Sequence, residues 1–229
     1  MDESFGIAVF SLIVFLFSTV CHEAAHAVVA LRLGDKTAYL NGQVTLNPWP
    51  HIRQEPFGLG VLPLISMLVN LQNGMPGVIG FASAPFDPLW AMRNPRRAAW
   101  MAMAGPAANF VLALIAAVSV RVGISADAFQ MSHGWQLASG VGDVADGFAL
   151  FLSVLFFENL LLGLWNMLPI PPMDGFSMLL FFLPEGRTEW FFQIRQQVGM
   201  MFPLLMLGIS SYFWSLFTPV FLMVRSWVF

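Results

Sequence analysis

The stretch FGIAVFSLIVFLFSTVCHEAAHAVVAL, residues 5–31, decides the fold. An α-helix needs roughly 20 apolar residues to cross a bilayer, and this run exceeds that. Its second half then places His22, Glu23 and His26 within five positions. An ionisable side chain inside a membrane helix costs roughly 2.5–3.5 kcal/mol even on insertion scales, so three together need a reason. Residues four apart lie on one helix face, so the two imidazoles can grip one divalent ion. Glu23 sits about 100° round the helix and can reach a water on the same ion. Zinc brings the pKa of such a water to about 7. Glu23 can then take its proton as general base and hand it to a departing amine. The competing reading is a hydrogen-bonded polar cluster that packs helices. From Phe5 to His22 the helix rises about 25 Å, which puts the motif inside the lipid, towards the far end of the span.

Composition agrees with a membrane setting. The 229 residues are 58% hydrophobic and 10% charged, with mean hydropathy +0.73. A soluble domain carries about 25% charged residues. The net charge of -3 comes without a basic run, which argues against nucleic acid as a partner. Cys21 is the single cysteine, so no internal disulfide can form. It adjoins the motif but faces elsewhere on the helix, as a packing residue. Met1–Ser4 lacks the positive start of a cleaved signal peptide, so the first apolar run reads as a retained helix. The expected organisation is one integral-membrane domain over residues 1–229, with a core over about 5–184 and a C-terminal spanning helix over about 198–224.

Four runs are long enough to span: about Phe5–Leu31, Ala98–Val120, Gly147–Leu168 with Glu158 inside it, and Val198–Val224 with Pro203 and Pro219. Gly58–Val69 is apolar but short, and Phe176–Leu183 likewise; both read as re-entrant or interfacial pieces. If Gly58–Val69 does not cross, Arg32, Lys36, Arg53, Arg93, Arg96, Arg97, Arg187 and Arg195 share one side, and Arg121 and Arg225 the other. If it crosses, the cations divide evenly. The positive-inside rule selects the first layout, with the N-terminus outside and the Arg32–Arg97 region in the cytoplasm. In that region Ala38–Leu40, Asn41-Gly42 and Gln43–Leu46 read as a β-hairpin around a type I′ turn, ended by Asn47-Pro48. The expected fold is an all-α membrane protein, a polytopic helical bundle with re-entrant segments and a small cytoplasmic-side β-hairpin.

A catalytic zinc wants a third protein ligand and one open position. The candidate is Asp174, in NMLPIPPMDG at residues 166–175. The prolines end the third spanning helix. Irregular backbone at membrane depth is tolerated where it lines protein or a water-filled cavity, and a carboxylate there is a functional candidate. The alternative is an aspartate in an interfacial loop. The layout favours the first reading, because the first and third spans reach the same side close to His26 and Asp174.

His22-Glu23-x-x-His26 together with Asn166-x-x-Pro169…Asp174-Gly175 resembles the site-2 protease family of intramembrane zinc metalloproteases, in its small prokaryotic type without a PDZ domain. Supporting pieces are Gln43–Pro48 with His51-Ile52, Arg93–Arg97, and Ala104–Asn109. The resemblance implies a three-helix catalytic core, one zinc ion on His22, His26 and Asp174, and Glu23 as catalytic base. It implies that Asn166 polarises the scissile carbonyl or steadies the oxyanion. The implied substrate is the transmembrane segment of another membrane protein, usually single-pass and often already trimmed outside, such as an anti-sigma factor. The implied setting is regulated intramembrane proteolysis in a prokaryotic plasma membrane. Glu158 and the Gly80–Pro88 loop depart from the family's usual pattern.

A helical substrate must unwind before its peptide bonds can be attacked. The outer strand of the 39–46 hairpin, with Gln43, Val44 and Thr45, is a candidate edge for strand addition to it. Asn109 is a candidate to support the metal site and contact substrate; close packing explains its Ala-Gly-Pro setting equally well. His51 and His133 lie in non-spanning segments and are not expected as ligands. The Arg93–Arg97 cluster reads as a topology anchor on anionic lipid. Two rival functions are a non-proteolytic zinc-binding membrane regulator or chaperone, and an ion transporter. Glu23 argues against the first, since a structural site needs no base. The lack of paired half-repeats argues against the second.

Overall fold

The structure, a computed structural model, describes residues 3–71, 77–184, 186–200 and 202–228. Helix α1 (Glu3–Leu33) carries the first apolar run without interruption. Two short helices follow, α2 (Thr37–Leu40) and α3 (Pro48–Gln54), then a π-helical turn (Pro56–Val61) that runs into α4 (Leu62–Asn70). After the irregular stretch 77–87 come α5 (Pro88–Arg93) and the long α6 (Pro95–Ser125). Strands β1 (Phe129–Met131) and β2 (Ala138–Gly140) precede α7 (Asp143–Asn166). The chain ends in α8 (Asp174–Met178), a 3-10 turn (Leu179–Phe181), α9 (Thr188–Met200) and α10 (Phe202–Val228). Among the described residues, α1, α6 and α7 are long and apolar enough to cross a membrane.

The expected hairpin at residues 38–46 does not form. Asp35 accepts hydrogen bonds from the Thr37 backbone N–H and hydroxyl and so starts a helical turn. Asn41-Gly42, read as a type I′ turn, instead closes that helix. Gly42 has φ of +72°, its N–H donates to the Tyr39 carbonyl, and the Gln43 N–H donates to the Ala38 carbonyl. That pair of bonds is the Schellman arrangement at a helix C-terminus. Asn47-Pro48, read as a strand terminator, opens α3: the Asn47 side chain accepts from the Trp49 N–H, and proline fills the first helical position. The two-stranded antiparallel sheet lies elsewhere, between α6 and α7, with Phe129 opposite Gly140 and Met131 opposite Ala138. Strands of three residues are too short for an alternating pattern to announce them.

The segment between α1 and α6 leaves and returns at one end of the bundle. An Arg97 N–H donates to the Leu33 carbonyl at the end of α1 (3.2 Å), and the Asp87 N–H donates to the Asp35 carboxylate (2.9 Å). In between, the chain runs alongside the first half of α1. Leu59 and Val78 pack on Phe15, and the Gly77 N–H donates to the Ser11 hydroxyl. Glu158 of α7 is 2% exposed. Its carboxyl faces that Ser11 hydroxyl and the Gly77 amide. Phe213, Phe217 and Phe221 of α10 bury against Phe156 and Phe157 of α7, and the Arg225 guanidinium donates to the Ser132 and Gly134 carbonyls beside the sheet. The Val198–Met200 part of the expected fourth run belongs to α9, and α10 passes through Pro219 as helix.

Asp35 is the joint between the two ends of that segment. Asp35→Ala leaves the Thr37 and Asp87 donors without their acceptor, at a cost of about 1–3 kcal/mol. The expected outcome is a lower unfolding temperature in detergent, with partial recovery in Asp35→Asn.

Candidate metal centre

His22, Glu23 and His26 are each about 95% buried, in the wall of a cavity of 730 Å³ enclosed by α1, α6, α7 and the stretch 77–87. His22 Nε2 lies 3.0 Å, and His26 Nε2 3.2 Å, from the same Asp174 oxygen, Oδ2. The corners of a tetrahedral set with bond lengths of about 2.0 Å are about 3.3 Å apart, so the three donors fit zinc. Space is kept for the ion by Gly105 of α6. A Cβ there would come within 2.3 Å of both Nε2 atoms.

Which ring nitrogens face the cavity follows from the hydrogen bonds behind them. His26 Nδ1 is 2.7 Å from the Met101 carbonyl, which can only accept, so Nδ1 carries the proton. For His22 the assignment passes through three side chains. The Leu155 carbonyl accepts from Asn159 Nδ2 (2.9 Å), which fixes the Asn159 amide. Asn159 Nδ2 also donates to the Ser18 hydroxyl, and its Oδ1 accepts from Asn109 Nδ2 (2.9 Å). Asn109 Oδ1 therefore faces His22 Nδ1 at 2.5 Å and makes it the donor. With both protons at Nδ1, two Nε2 lone pairs point at a carboxylate oxygen. That arrangement is repulsive unless a metal ion or a second ring proton lies among them, and it is the ring orientation that metal-binding histidines adopt.

Asp174 arrives from the other side. Helix α7 stops at Asn166, and Gly175 packs so tightly on the turn after it that a Cβ would meet the Met167 carbonyl oxygen at 2.1 Å. Phe176 stacks on Phe191 of α9 with centroids 4.4 Å apart and rings 11° from parallel. Glu23 lines the same cavity, and its Oε2 is buried with no hydrogen-bond partner among the described residues. Asn166 also lines it; one N–H of its amide donates to the Leu162 carbonyl, leaving the other for a ligand.

The other sequence candidates separate. Asn109 is fully buried behind His22, at the metal site. Gln43, Val44 and Thr45 do not line the cavity, and Gln43 has no exposed surface. His51, excluded as a ligand, is 1% exposed, and its Nε2 donates to the Thr45 carbonyl at 3.0 Å. Cys21 is half-buried as a free thiol. Three contributors went unread in the sequence: Asn159, the Met101 carbonyl and Arg195. Asn159 alone left a signal, as an amide in an apolar span.

Comparison with known proteins gives a match to the model of peptidase family M50 over residues 10–209. The chain is 32% identical over 178 residues to "Putative zinc metalloprotease YwhC" of Bacillus subtilis, covering 76% of this chain and 69% of that one. It is 30% identical over 174 residues to "Putative zinc metalloprotease Rip2" of Mycobacterium tuberculosis, covering 76% and 57%. It thus spans a little over half the length of the mycobacterial relative. No solved structure matches.

Removing the acceptor behind His22 tests the centre without touching a donor to the ion. Asn109→Ala should weaken zinc binding by about 10–100-fold, the usual effect of losing such a partner. Competition with a chromogenic chelator measures it. Asn109→Asp, which can still accept from Nδ1, should lose less.

Proposed function

This chain belongs to peptidase family M50, the site-2 protease family its paired motifs resemble, and from that footing we propose that it is an intramembrane zinc-dependent endopeptidase. Its substrates are peptide bonds within the transmembrane segments of other membrane proteins. The observation that carries the reading is the convergence of two Nε2 lone pairs and one Asp174 oxygen beside an unpartnered Glu23 carboxylate, in one cavity.

His22, His26 and Asp174 would hold the zinc. Once bound, zinc lowers the pKa of a water and polarises the carbonyl it touches. Glu23 takes the proton of the attacking water and delivers it to the departing amine. Its burial serves this, because a base in low dielectric is not weakened by bulk hydration. Asn166 turns its spare N–H to the carbonyl oxygen, which gains charge during attack.

In this reading α1, α6 and α7 are the catalytic core and cross the membrane, α10 is a fourth span, and the Pro56–Asn70 piece is re-entrant. The whole chain is one domain. The N-terminus is extracytoplasmic and the metal lies towards the cytoplasm of a prokaryotic cell. An unwound substrate meets the stretch 79–84, which lines the cavity, in place of residues 43–45. Single-pass proteins such as anti-sigma factors are the proposed partners, cut in regulated intramembrane proteolysis.

The test uses purified protein and a model transmembrane substrate. Glu23→Gln should keep its zinc and lose cleavage by about 10²–10⁴-fold or more, the range of general-base catalysis. A chelator should abolish wild-type cleavage and added zinc restore it. A zinc-binding regulator would hold the metal yet never cleave. A transporter would move an ion and leave the substrate whole, and either result ends the proposal.

A further inference from the structure

The metal-site cavity has one lining residue with a permanent positive charge, Arg195 of α9. The positive-inside count places it only as one cytoplasmic cation among eight, a role that asks for a solvated guanidinium at the surface. In the structure the guanidinium instead lies over the Phe86 ring, 5.1 Å from its centroid, and its Nε is buried with no hydrogen-bond partner. Among the described residues no carboxylate oxygen lies within ion-pair distance of it, although the Asp174 carboxylate acts on it through space. An unpartnered buried donor costs about 1–3 kcal/mol, more when charged.

Its placement is rigid. One helical turn earlier, Phe191 is 3% exposed and makes the parallel stack on Phe176, two residues beyond Asp174. Ala91, Ala98, Ala99 and Leu180 complete that cluster, and Phe192 joins Arg195 in lining the cavity. Helix α9 is thus mounted on the loop that carries Asp174. The contact with Phe86 occupies the face of the guanidinium plane. Its N–H groups lie in the plane, in a fork that donates to oxygens and accepts nothing.

We propose that Arg195 is a substrate-anchoring residue whose guanidinium donates to main-chain carbonyl oxygens of the unwound segment lying in the cavity. This rests on the protease reading above. Unwinding a helix frees carbonyl oxygens that bulk water does not reach at this depth, and each needs a donor. The cavity surface facing them is largely apolar, with Phe15, Phe57, Phe81 and Leu162 among its walls. The fork of Arg195 supplies several donors at once through its terminal nitrogens.

The test is a binding measurement that needs no turnover. The probe is a synthetic transmembrane helix with a central Gly-Gly and an amidated C-terminus, fluorescently labelled and free of Asp, Glu, Asn, Gln, Ser and Thr, so that main-chain carbonyls are the acceptors that can answer the guanidinium. It is titrated into zinc-loaded Glu23→Gln protein with and without Arg195→Met. The added substitution should weaken binding about tenfold or more, the worth of one hydrogen bond to a charged group. In the Glu23 enzyme it should raise KM by a similar factor and leave kcat, zinc content and unfolding temperature near wild type. Arg195→Lys keeps the charge without the fork and should recover less than half of the loss. Unchanged probe binding in Arg195→Met overturns the proposal. So does zinc loss in that variant, which would make Arg195 a support for Asp174, and so does full activity in Arg195→Lys. A wild-type protein that binds the probe through Arg195 but never cuts it refutes the protease reading and leaves the anchor standing.

Discussion

The structure depends on a closed circuit of buried hydrogen bonds that begins and ends on α1. His22 donates to Asn109 of α6, Asn109 to Asn159 of α7, and Asn159 back to Ser18 of α1. Asn109, Asn159 and Ser18 are fully buried and His22 nearly so. Lipid tails offer no hydrophobic force between helices, so association comes from close packing and bonds of this kind. One circuit thereby joins the three long helices and sets the protonation of a ring facing the cavity. Its direction is dictated by a single backbone carbonyl, that of Leu155, which can only accept. Fold and chemistry share one set of polar atoms, so neither can change alone.

Close approach is the second requirement, and glycine and alanine meet it. Ala98, Ala99 and Ala102 are at most 3% exposed along the start of α6, and Gly105 follows at the point facing His22 and His26. Further along the bundle, Gly163 of α7 faces the Phe110 ring of α6, where a Cβ would come within 2.8 Å. Small residues let the backbones come near enough for short side chains such as Asn109 and Ser18 to bridge them. A wider spacing would open the circuit and leave amides stranded in a low-dielectric interior.

What was legible in the sequence had a strong physical signature. Four runs announced themselves by length and apolarity, of which α1, α6 and α7 meet that test among the described residues, and the His22–His26 spacing announced a shared face. Asp174 was legible because prolines must break α7 just before it. The hairpin at 38–46 was misread because Asn-Gly serves two structures equally well. In a hairpin both residues take positive φ; here Gly42 alone does, closing a helix that Asp35 starts. Asp35 also holds the Asp87 backbone N–H, 52 positions away, a contact that no local pattern contains. Arg195 was invisible for a similar reason. Counting charges assigns a side of the membrane, whereas its setting depends on a stack between Phe176 and Phe191.

A helix alone could carry His22, Glu23 and His26, but it could not surround an ion. The third donor has to come from across the cavity, and α7 stops beside it. Stopping a helix inside a packed bundle is costly, because its last carbonyls and the next amides lose their partners. The sequence after Asn166 reduces that cost in two ways. Pro169, Pro171 and Pro172 carry no N–H, so three amides that would need acceptors do not exist. The remaining turn bonds to itself, with the Leu168 N–H on the Trp165 carbonyl and the Met173 N–H on the Ile170 carbonyl. Read this way, the proline run is what allows α7 to end inside the bundle, and an α7 that ends there is what lets a carboxylate meet two histidines from the opposite side.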